Sequence, residues 1–230
     1  SMHPGAHRGL LVAVEAIETK LQLLLGQEAE CRDDCKRFTL SLTEVDLSMV
    51  DWVGGKCAGL GEMLSMAGVP VPRGFAVTIT AFHRFMEYEG LGQAVEDKLL
   101  HVNSEDREAM GAILDEVRLM VEHAPLPPDI EKALLQACAD TFGDEPVRLA
   151  VRSSARSEDG DKSFAGQFQT ELSVRREDLP ASWRRVVSGL FTPSATLYRL
   201  HQGIPLSESA MAVGCLEMVN SVCSGVAYSH

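Results

Sequence analysis

The sequence predicts a mixed α+β domain, and three observations carry the prediction. Stretches with apolar residues at helical spacing stand beside short stretches that alternate at every second position. The two kinds partly alternate and partly segregate along the chain, which neither an all-helical nor an all-strand architecture accommodates. The chain has 230 residues, 45% of them apolar and 23% charged, enough for one large domain or two small ones around a real core.

Taken in order, Ser1-Met2 reads as a tag remnant and is set aside. Leu10, Leu11, Val14, Ile17, Leu21, Leu24 and Leu25 give helical spacing over Leu10–Cys35. Phe38, Leu40 and Leu42 alternate as a short strand. Gly54-Gly55 breaks the chain, and Lys56 opens a helix through Leu60, Met63 and Leu64 that Gly68 closes. Pro70 and Pro72 lead into a buried strand over Phe75–Thr78. Thr78 or Thr80 then caps a helix bearing Phe82, Phe85 and Met86, which ends near Gly90. Residues 91–142 read as helix throughout, with Ser104 ahead of Glu108 and with Pro127-Pro128 opening the last segment. Val147–Val151 is an apolar strand, and Phe168, Thr170, Leu172 and Val174 alternate as another. Trp183–Leu190 and Pro193–Leu200 are helical. Met211–Val219 and Val222–Tyr228 read as two strands joined by a turn at Asn220-Ser221. The sequence stops just after an apolar strand with nothing to cover it, so a piece of a longer chain is expected. The exposed edge of that strand predicts a possible homodimer.

Composition excludes several classes. The formal charge is -12 and the pI about 5.0, which disfavours nucleic acid and anionic membrane as partners. No apolar run approaches the roughly 20 residues of a membrane helix, and Glu15 and Glu18 interrupt the one N-terminal candidate for a signal core. Six loosely spaced cysteines read as free thiols of a reducing compartment, so a cytoplasmic location is expected. The charge is unevenly spread. Residues 101–150 hold 4 basic and 11 acidic groups, whereas 151–200 hold 8 and 6, the single net-positive block. A search for an anionic ligand starts there.

Two segments carry candidate chemistry. In Val53-Gly54-Gly55-Lys56 the glycines free backbone N–H groups to face a ligand, and a lysine at a helix start adds charge to the positive end of the dipole. It is not a Walker A loop, since Cys57 follows the lysine. Taken alone, a structural turn accounts for it better than an anion site. In Val151-Arg152-Ser153-Ser154-Ala155, an arginine at a strand end precedes two hydroxyls and then a Gly- and Ser-rich stretch running to Thr170. A strand, a small-residue loop and a second strand suit a backbone lid over phosphates. An ordinary hairpin with an acidic turn fits equally well. Cys31 and Cys35 stand one helical turn apart without a partner ligand, and no histidine has triad or metal spacing.

In order along the chain, Val53-Gly54-Gly55-Lys56-Cys57-Ala58-Gly59-Leu60-Gly61-Glu62-Met63, Gly68-Val69-Pro70-Val71-Pro72-Arg73-Gly74-Phe75 and Val151-Arg152-Ser153-Ser154-Ala155 are followed by Glu158-Asp159, Ser163-Phe164-Ala165-Gly166-Gln167 and Thr170. Leu190-Phe191, Tyr198-Arg199, Gly203-Ile204-Pro205, Met211-Ala212-Val213, Met218-Val219 and Ser224-Gly225-Val226 complete the series. Together they closely resemble the N-terminal ATP-binding domain of the phosphoenolpyruvate synthase (pyruvate, water dikinase) and pyruvate phosphate dikinase family, which rifampicin phosphotransferase shares.

The resemblance implies the N-terminal part of an ATP-grasp-like nucleotide-binding domain over residues 38–230, with a helical block at about 80–142 inserted and the second half of the grasp missing. Residues 1–37 lie outside it. It implies that Lys56 and Arg152 contact ATP phosphates as the catalytic pair, with Gly54, Gly55 and Ser153 beside them. Gly166, Gln167 and Thr170 are implied to close over the phosphates. The family's late strand reads Val-Gln-x-Met-Val and offers its backbone to adenine. Here Leu216 replaces the glutamine, so the implied adenine contacts at Leu216 and Val219 are backbone contacts. ATP and Mg2+ are the implied cofactors, with the metal's carboxylate ligands beyond the final strand. The implied partners are a phosphohistidine domain and a pyruvate-binding domain elsewhere in a longer chain, which would leave these 230 residues inactive alone and weak binders of nucleotide. A non-catalytic regulatory or interaction module derived from this domain, or an antibiotic phosphotransferase of the rifampicin type, are the alternatives.

Overall fold

The computed structural model describes residues 36–66, 69–102, 106–155, 170–202 and 210–225. The expected helix over Leu10–Cys35, the helix end at Gly68, the cap at Ser104 and the loop holding Gly166 and Gln167 lie outside the described residues. What is described from Arg37 onward belongs to one compact unit.

Among the described residues five strands build the core: β1 (Thr39–Ser41), β2 (Gly74–Val77), β3 (Leu149–Ser154), β4 (Thr170–Val174) and β5 (Ala212–Glu217). They form one sheet in the order β1-β2-β5-β3-β4, with every neighbouring pair antiparallel. The predicted mixed α+β class is correct. One register row crosses the whole sheet: Leu40 faces Ala76, Ala76 faces Gly214, Gly214 faces Arg152, and Arg152 faces Thr170. Side chains of directly opposed residues share a face, so this row and its every-second neighbours define one side of the sheet.

The helices are α1 (Val50–Ser65), α2 (Ile79–Glu87), α3 (Leu91–Leu99), α4 (Arg107–His123), α5 (Pro128–Phe142), α6 (Leu179–Ser188) and α7 (Pro193–Gln202). Four of them, α2 to α5, fill the span between β2 and β3 that the sequence assigns to a helical block. Pro128 opens α5 as expected, because a first-turn residue has no intrahelical N–H bond to lose. The helix α4 takes its cap from Asp106, whose carboxylate accepts the Ala109 N–H at 3.0 Å. Thr78 stands at the start of α2 but does not cap it. Its hydroxyl instead donates to the Arg37 carbonyl at 2.7 Å and ties the helix start to the chain ahead of β1.

The two sides of the sheet differ. One buries Phe75, Val77, Leu149, Val151, Val213 and Cys215 against apolar residues of α2 to α6, including Phe85, Val117, Leu134 and Trp183. The Phe85 and Trp183 rings meet edge to face at 5.2 Å, the preferred aromatic geometry. The other side carries a smaller cluster in which Leu40, Ala76 and Leu216 meet Val53, Cys57 and Ala58 of α1.

Two expectations are corrected. The helix expected from Lys56 begins six residues earlier, at Val50, and runs across a kink at Gly54 (φ 73°, ψ 164°). The hairpin expected at Met211–Val219 and Val222–Tyr228 is not seen among the described residues: β5 ends at Glu217, residues 222–225 are not strand, and 226–228 lie outside the described residues. The reason is positional. Strand β5 is central, with β2 and β3 on its two edges, so a following strand finds no open edge beside it. Among the described residues the sheet's outer strands are β1 and β4, and Val222 lies on neither.

At β4 the register against β3 slips between Leu149 and Val151, so that two residues, Leu172 and Ser173, oppose Ala150 alone. This is a β-bulge, and Ser173 takes the left-handed conformation (φ 58°) that lets the chain absorb the extra residue. Leu172 is left 63% exposed on the rim of the α1 side.

Candidate functional site

The kink in α1 is where the two sequence motifs meet. After Gly54 the helix restarts, and its first N–H groups have no partner within the helix. They find partners on the end of β3, 97 or more residues away in sequence. The Gly55 N–H donates to the Ala155 carbonyl at 3.3 Å, and the Cys57 N–H donates to the Ser154 hydroxyl at 3.0 Å. Between them the Lys56 ammonium reaches the Ser153 carbonyl at 3.5 Å, at the limit of a hydrogen bond. Only glycine fits at position 54. A Cβ there would stand 1.8 Å from the Ser154 carbonyl oxygen, and the positive φ is a region L side chains rarely occupy.

Strand β3 supplies the second cation. Arg152 lies two residues before Ser154, on the same face, opposite Gly214 of β5 and Thr170 of β4. Its stem and the Cys57 sulfur both border the space above Gly214. A Cβ on that glycine would come to 3.0 Å from the sulfur and 3.7 Å from Cγ of Arg152. The start of α1 and the arginine are therefore packed side by side. The Nε of Arg152 is buried and has no hydrogen-bond partner among the described residues. A buried donor without a partner is costly, so an arginine held this way favours an anion that supplies the missing acceptor.

The expected site residues separate into three groups. Gly54, Gly55, Lys56 and Arg152 converge at one end of β3, and Thr170 is exposed beside Arg152 on the neighbouring strand. Ser153 joins them through its carbonyl, while its side chain turns to the opposite face of β3 and is buried with Val151 there. Leu216 and Val219 lie up the sheet toward the far end of β5. The Leu216 side chain is 7% exposed and packs in the α1-side cluster. Beyond it the Glu217 N–H donates to the Arg73 carbonyl and the Met218 N–H to the Arg148 carbonyl, both at 2.8 Å. Val219, 61% exposed, is the first residue past this ladder.

That far end is fixed by charge. Arg73 bonds both carboxylate oxygens of Glu217, at 2.9 and 3.1 Å, and also Glu145 at 2.9 Å. The hydrogen bonds to Glu217 and then Glu145 raise the arginine's pKa, and the same contact lowers that of Glu217. Deeper in the molecule, burial pulls Arg199 down to about 10, still charged at neutral pH, and its guanidinium donates to the Leu190 and Ala195 carbonyls. Among the described residues no cluster of three or more His, Cys, Asp or Glu is placed to hold a metal, and no helix is long and apolar enough to cross a membrane. Cys57, Cys138, Cys215 and Cys223 are free thiols.

Of the two hydroxyls after Arg152, the sequence reading chose Ser153 for the site. Ser154, fully buried, is the hydroxyl that faces α1. The signal was available: with Arg152 assigned to the ligand face of a strand, period two puts Ser154 on that face and Ser153 on the other.

With this geometry in hand, comparison with known proteins is direct. The family described as pyruvate phosphate dikinase, AMP/ATP-binding domain, matches residues 50–230. A probable phosphoenolpyruvate synthase from Staphylothermus marinus is 40% identical over 201 residues, covering 84% of this chain and 24% of the relative. The phosphoenolpyruvate synthase of Escherichia coli K12 is 38% identical over 200 residues, 84% of this chain and 25% of the relative. A rifampicin phosphotransferase from Streptomyces sviceus is 37% identical over 199 residues, 84% of this chain and 22% of the relative. The chain thus spans about a quarter of the length of these curated relatives. On the strength of a match over most of its length, the chain belongs to the pyruvate phosphate dikinase AMP/ATP-binding domain family.

Proposed function

We propose that residues 38–230 form the N-terminal, ATP-cradling portion of a phosphoenolpyruvate-synthase-like phosphotransferase, with Lys56 and Arg152 holding the phosphates. The observation that carries this reading is the convergence of the Gly54-Gly55-Lys56 kink with Arg152, whose buried Nε has no acceptor among the described residues. Phosphate supplies what both need. Its oxygens accept from Arg152 in a two-point contact, compensate the like-charge repulsion of two cations, and suit the positive end of the helix that restarts at Gly55. Thr170 adds a hydroxyl from the neighbouring strand, and Gly166 and Gln167 precede it closely in sequence.

The base end of the nucleotide is assigned to the far part of β5. From Gly214, beside Arg152, to Val219 is five residues, about 17 Å at ~3.4 Å per residue, comparable to the span of an extended adenine nucleotide. Since the sheet consumes the N–H groups of Glu217 and Met218, the first backbone donor offered to a base is that of Val219. Leu216 contributes packing rather than a polar contact.

In this reading ATP is the phosphoryl donor, and the phosphoryl group passes through a phosphohistidine to pyruvate, both on other parts of a longer cytoplasmic protein. Magnesium would neutralise charge between the phosphates there. The described residues offer it no ligand set. Relatives named for phosphoenolpyruvate synthesis and for rifampicin phosphorylation match this chain about equally well, which supports assigning these residues to the donor side common to both.

The test is a titration of the 230-residue chain with ATP to millimolar concentration, followed by backbone and side-chain NMR. Shifts are expected at Lys56, Arg152 and Thr170, lost in Lys56→Ala and Arg152→Ala. Equal shifts in those variants, or shifts confined to other parts of the surface, would remove Lys56 and Arg152 from the site.

A further inference from the structure

We propose that Ser154 is a positioning residue for the phosphate site: its hydroxyl caps the restarted half of α1 from outside the helix and so fixes Lys56 relative to Arg152. The proposal rests on the reading of these two cations as phosphate ligands and adds the residue that holds their geometry.

A helix start is ordinarily capped by the side chain of its own first flanking residue, most often Ser, Thr, Asp or Asn. Here that residue is Gly54, which has no side chain and cannot be exchanged for one, because the Ser154 carbonyl lies where a Cβ would be. The capping acceptor therefore comes from elsewhere. The Ser154 hydroxyl takes the N–H of Cys57, the third residue of the restarted helix, which is the bond an in-helix cap would make. The Ala155 carbonyl takes the N–H of the first residue, Gly55. Lys56 sits between these two anchored residues, so its side chain starts from a backbone held on both sides.

The same strand sets the other cation. Arg152 and Ser154 are two residues apart on one face of β3, and β3 is clamped between β4 and β5. One rigid segment thus carries the arginine itself and the hydroxyl that locates the lysine. Two cations aimed at one point repel, and a lysine on an unpinned turn would swing outward into water whenever phosphate is absent. Anchoring the turn to the arginine's own strand keeps the pair assembled before ligand arrives, which is what preorganisation of a binding site requires. Ser154 is fully buried, so water does not reach in to replace its hydroxyl as acceptor.

The experiment compares ATP and adenosine binding by the unsubstituted chain, Ser154→Ala, Ser154→Cys and Ser154→Thr, together with amide hydrogen exchange at Cys57. Ser154→Cys keeps the side-chain shape while offering a poor acceptor, and Ser154→Thr keeps the hydroxyl. The expected result is faster exchange at Cys57 and about tenfold weaker ATP binding in the Ala and Cys variants, with adenosine affinity unchanged and ATP binding recovered in Thr. A role limited to folding would weaken ATP and adenosine alike, and that outcome overturns the proposal. So does ATP binding in Ser154→Ala and Ser154→Cys equal to that of the unsubstituted chain. No preference for ATP over adenosine in the unsubstituted chain would instead overturn the phosphate-site reading, and the proposal with it.

Discussion

The two sides of the sheet use the same five strands for opposite ends. On the helical side, positions 75, 149, 151, 213 and 215 are large or medium apolar residues packed under five helices, with Trp183 and Phe85 at the centre. On the α1 side, the matching row reads Leu40, Ala76, Gly214, Arg152, Thr170, and its cover thins from β1 toward β4. Apolar packing supplies stability on one side. On the other stand small residues and an arginine whose buried Nε has no hydrogen-bond partner among the described residues, the features on which the proposed phosphate site rests. A single strand can serve both because its side chains alternate: β3 gives Val151 and Ser153 to the core and Arg152 and Ser154 to the site.

That contrast breaks most visibly in stability. Trp183→Ala removes the largest fully buried side chain and leaves a cavity under the sheet. It should cost about 3–5 kcal/mol in a urea melt. ATP-induced shifts at Arg152 should persist in the folded fraction. If they vanish while the fold survives, the two sides are coupled and the separation of roles is wrong.

Gly54→Ala attacks the seam between the sides. Forcing a non-glycine residue to hold a positive φ costs about 1–3 kcal/mol, and the overlap with the Ser154 carbonyl must be relieved as well. Stability and ATP binding should fall together, because the helix start can escape only by moving Lys56 away from β3. Thermal melts and ATP titration on the same sample check this, and unchanged ATP binding would show that the close approach is not needed.

Arg152→Met sharpens the comparison in the other direction. Methionine keeps an unbranched apolar stem, and the Nε it removes has no partner to lose. Stability should hold or rise by about 1 kcal/mol, because the buried donor that lacks an acceptor is gone. ATP binding should weaken by about tenfold or more, the size of a charge-assisted contact. A large loss of stability would reassign Arg152 to the scaffold.

How much of this was legible beforehand follows from the range of the forces involved. Local periodicity located β1 to β4, the helical block and the chain from Met211 to Glu217, since each depends on near neighbours in sequence. The kink at Gly54 depends on contacts with Ser154 and Ala155, 97 or more residues away, and the order of the strands on which edges pair, neither of which a local pattern records, whereas the choice of Ser154 over Ser153 was open to the strand's period of two. Residues 222–225, expected to begin a second strand after Asn220, are not strand for a reason of the same kind. The expected strand's apolar character was read correctly, but the sheet had no vacant edge beside β5. The convergence of Lys56 and Arg152 was expected from motif resemblance, not from spacing, which left each motif with a structural alternative.

The smallest predicted effect separates the sides within one strand. On β4, Thr170 faces the site, whereas Glu171 faces α6 and makes two hydrogen bonds to Arg185, at 2.5 and 2.7 Å. Burial raises the Glu171 pKa, but the hydrogen bonds from Arg185 and the arginine's charge outweigh it, leaving the carboxyl below its ordinary value. A folded-state pKa below the unfolded one means the unfolded chain binds the proton more readily as pH falls. The pair therefore stabilises the fold fully above the unfolded carboxylate pKa of about 4.3, and that stability disappears as pH drops through the lower folded value. With Arg185 well exposed, screening limits the contribution to about 1 kcal/mol at most. Glu171→Gln should accordingly melt a little below the unsubstituted chain at pH 7, with the two curves converging in acid while ATP binding at pH 7 stays the same. A gap that persists at low pH would mean that Glu171 acts through packing and not through its charge. A loss of ATP binding would mean that the two faces of β4 are not independent.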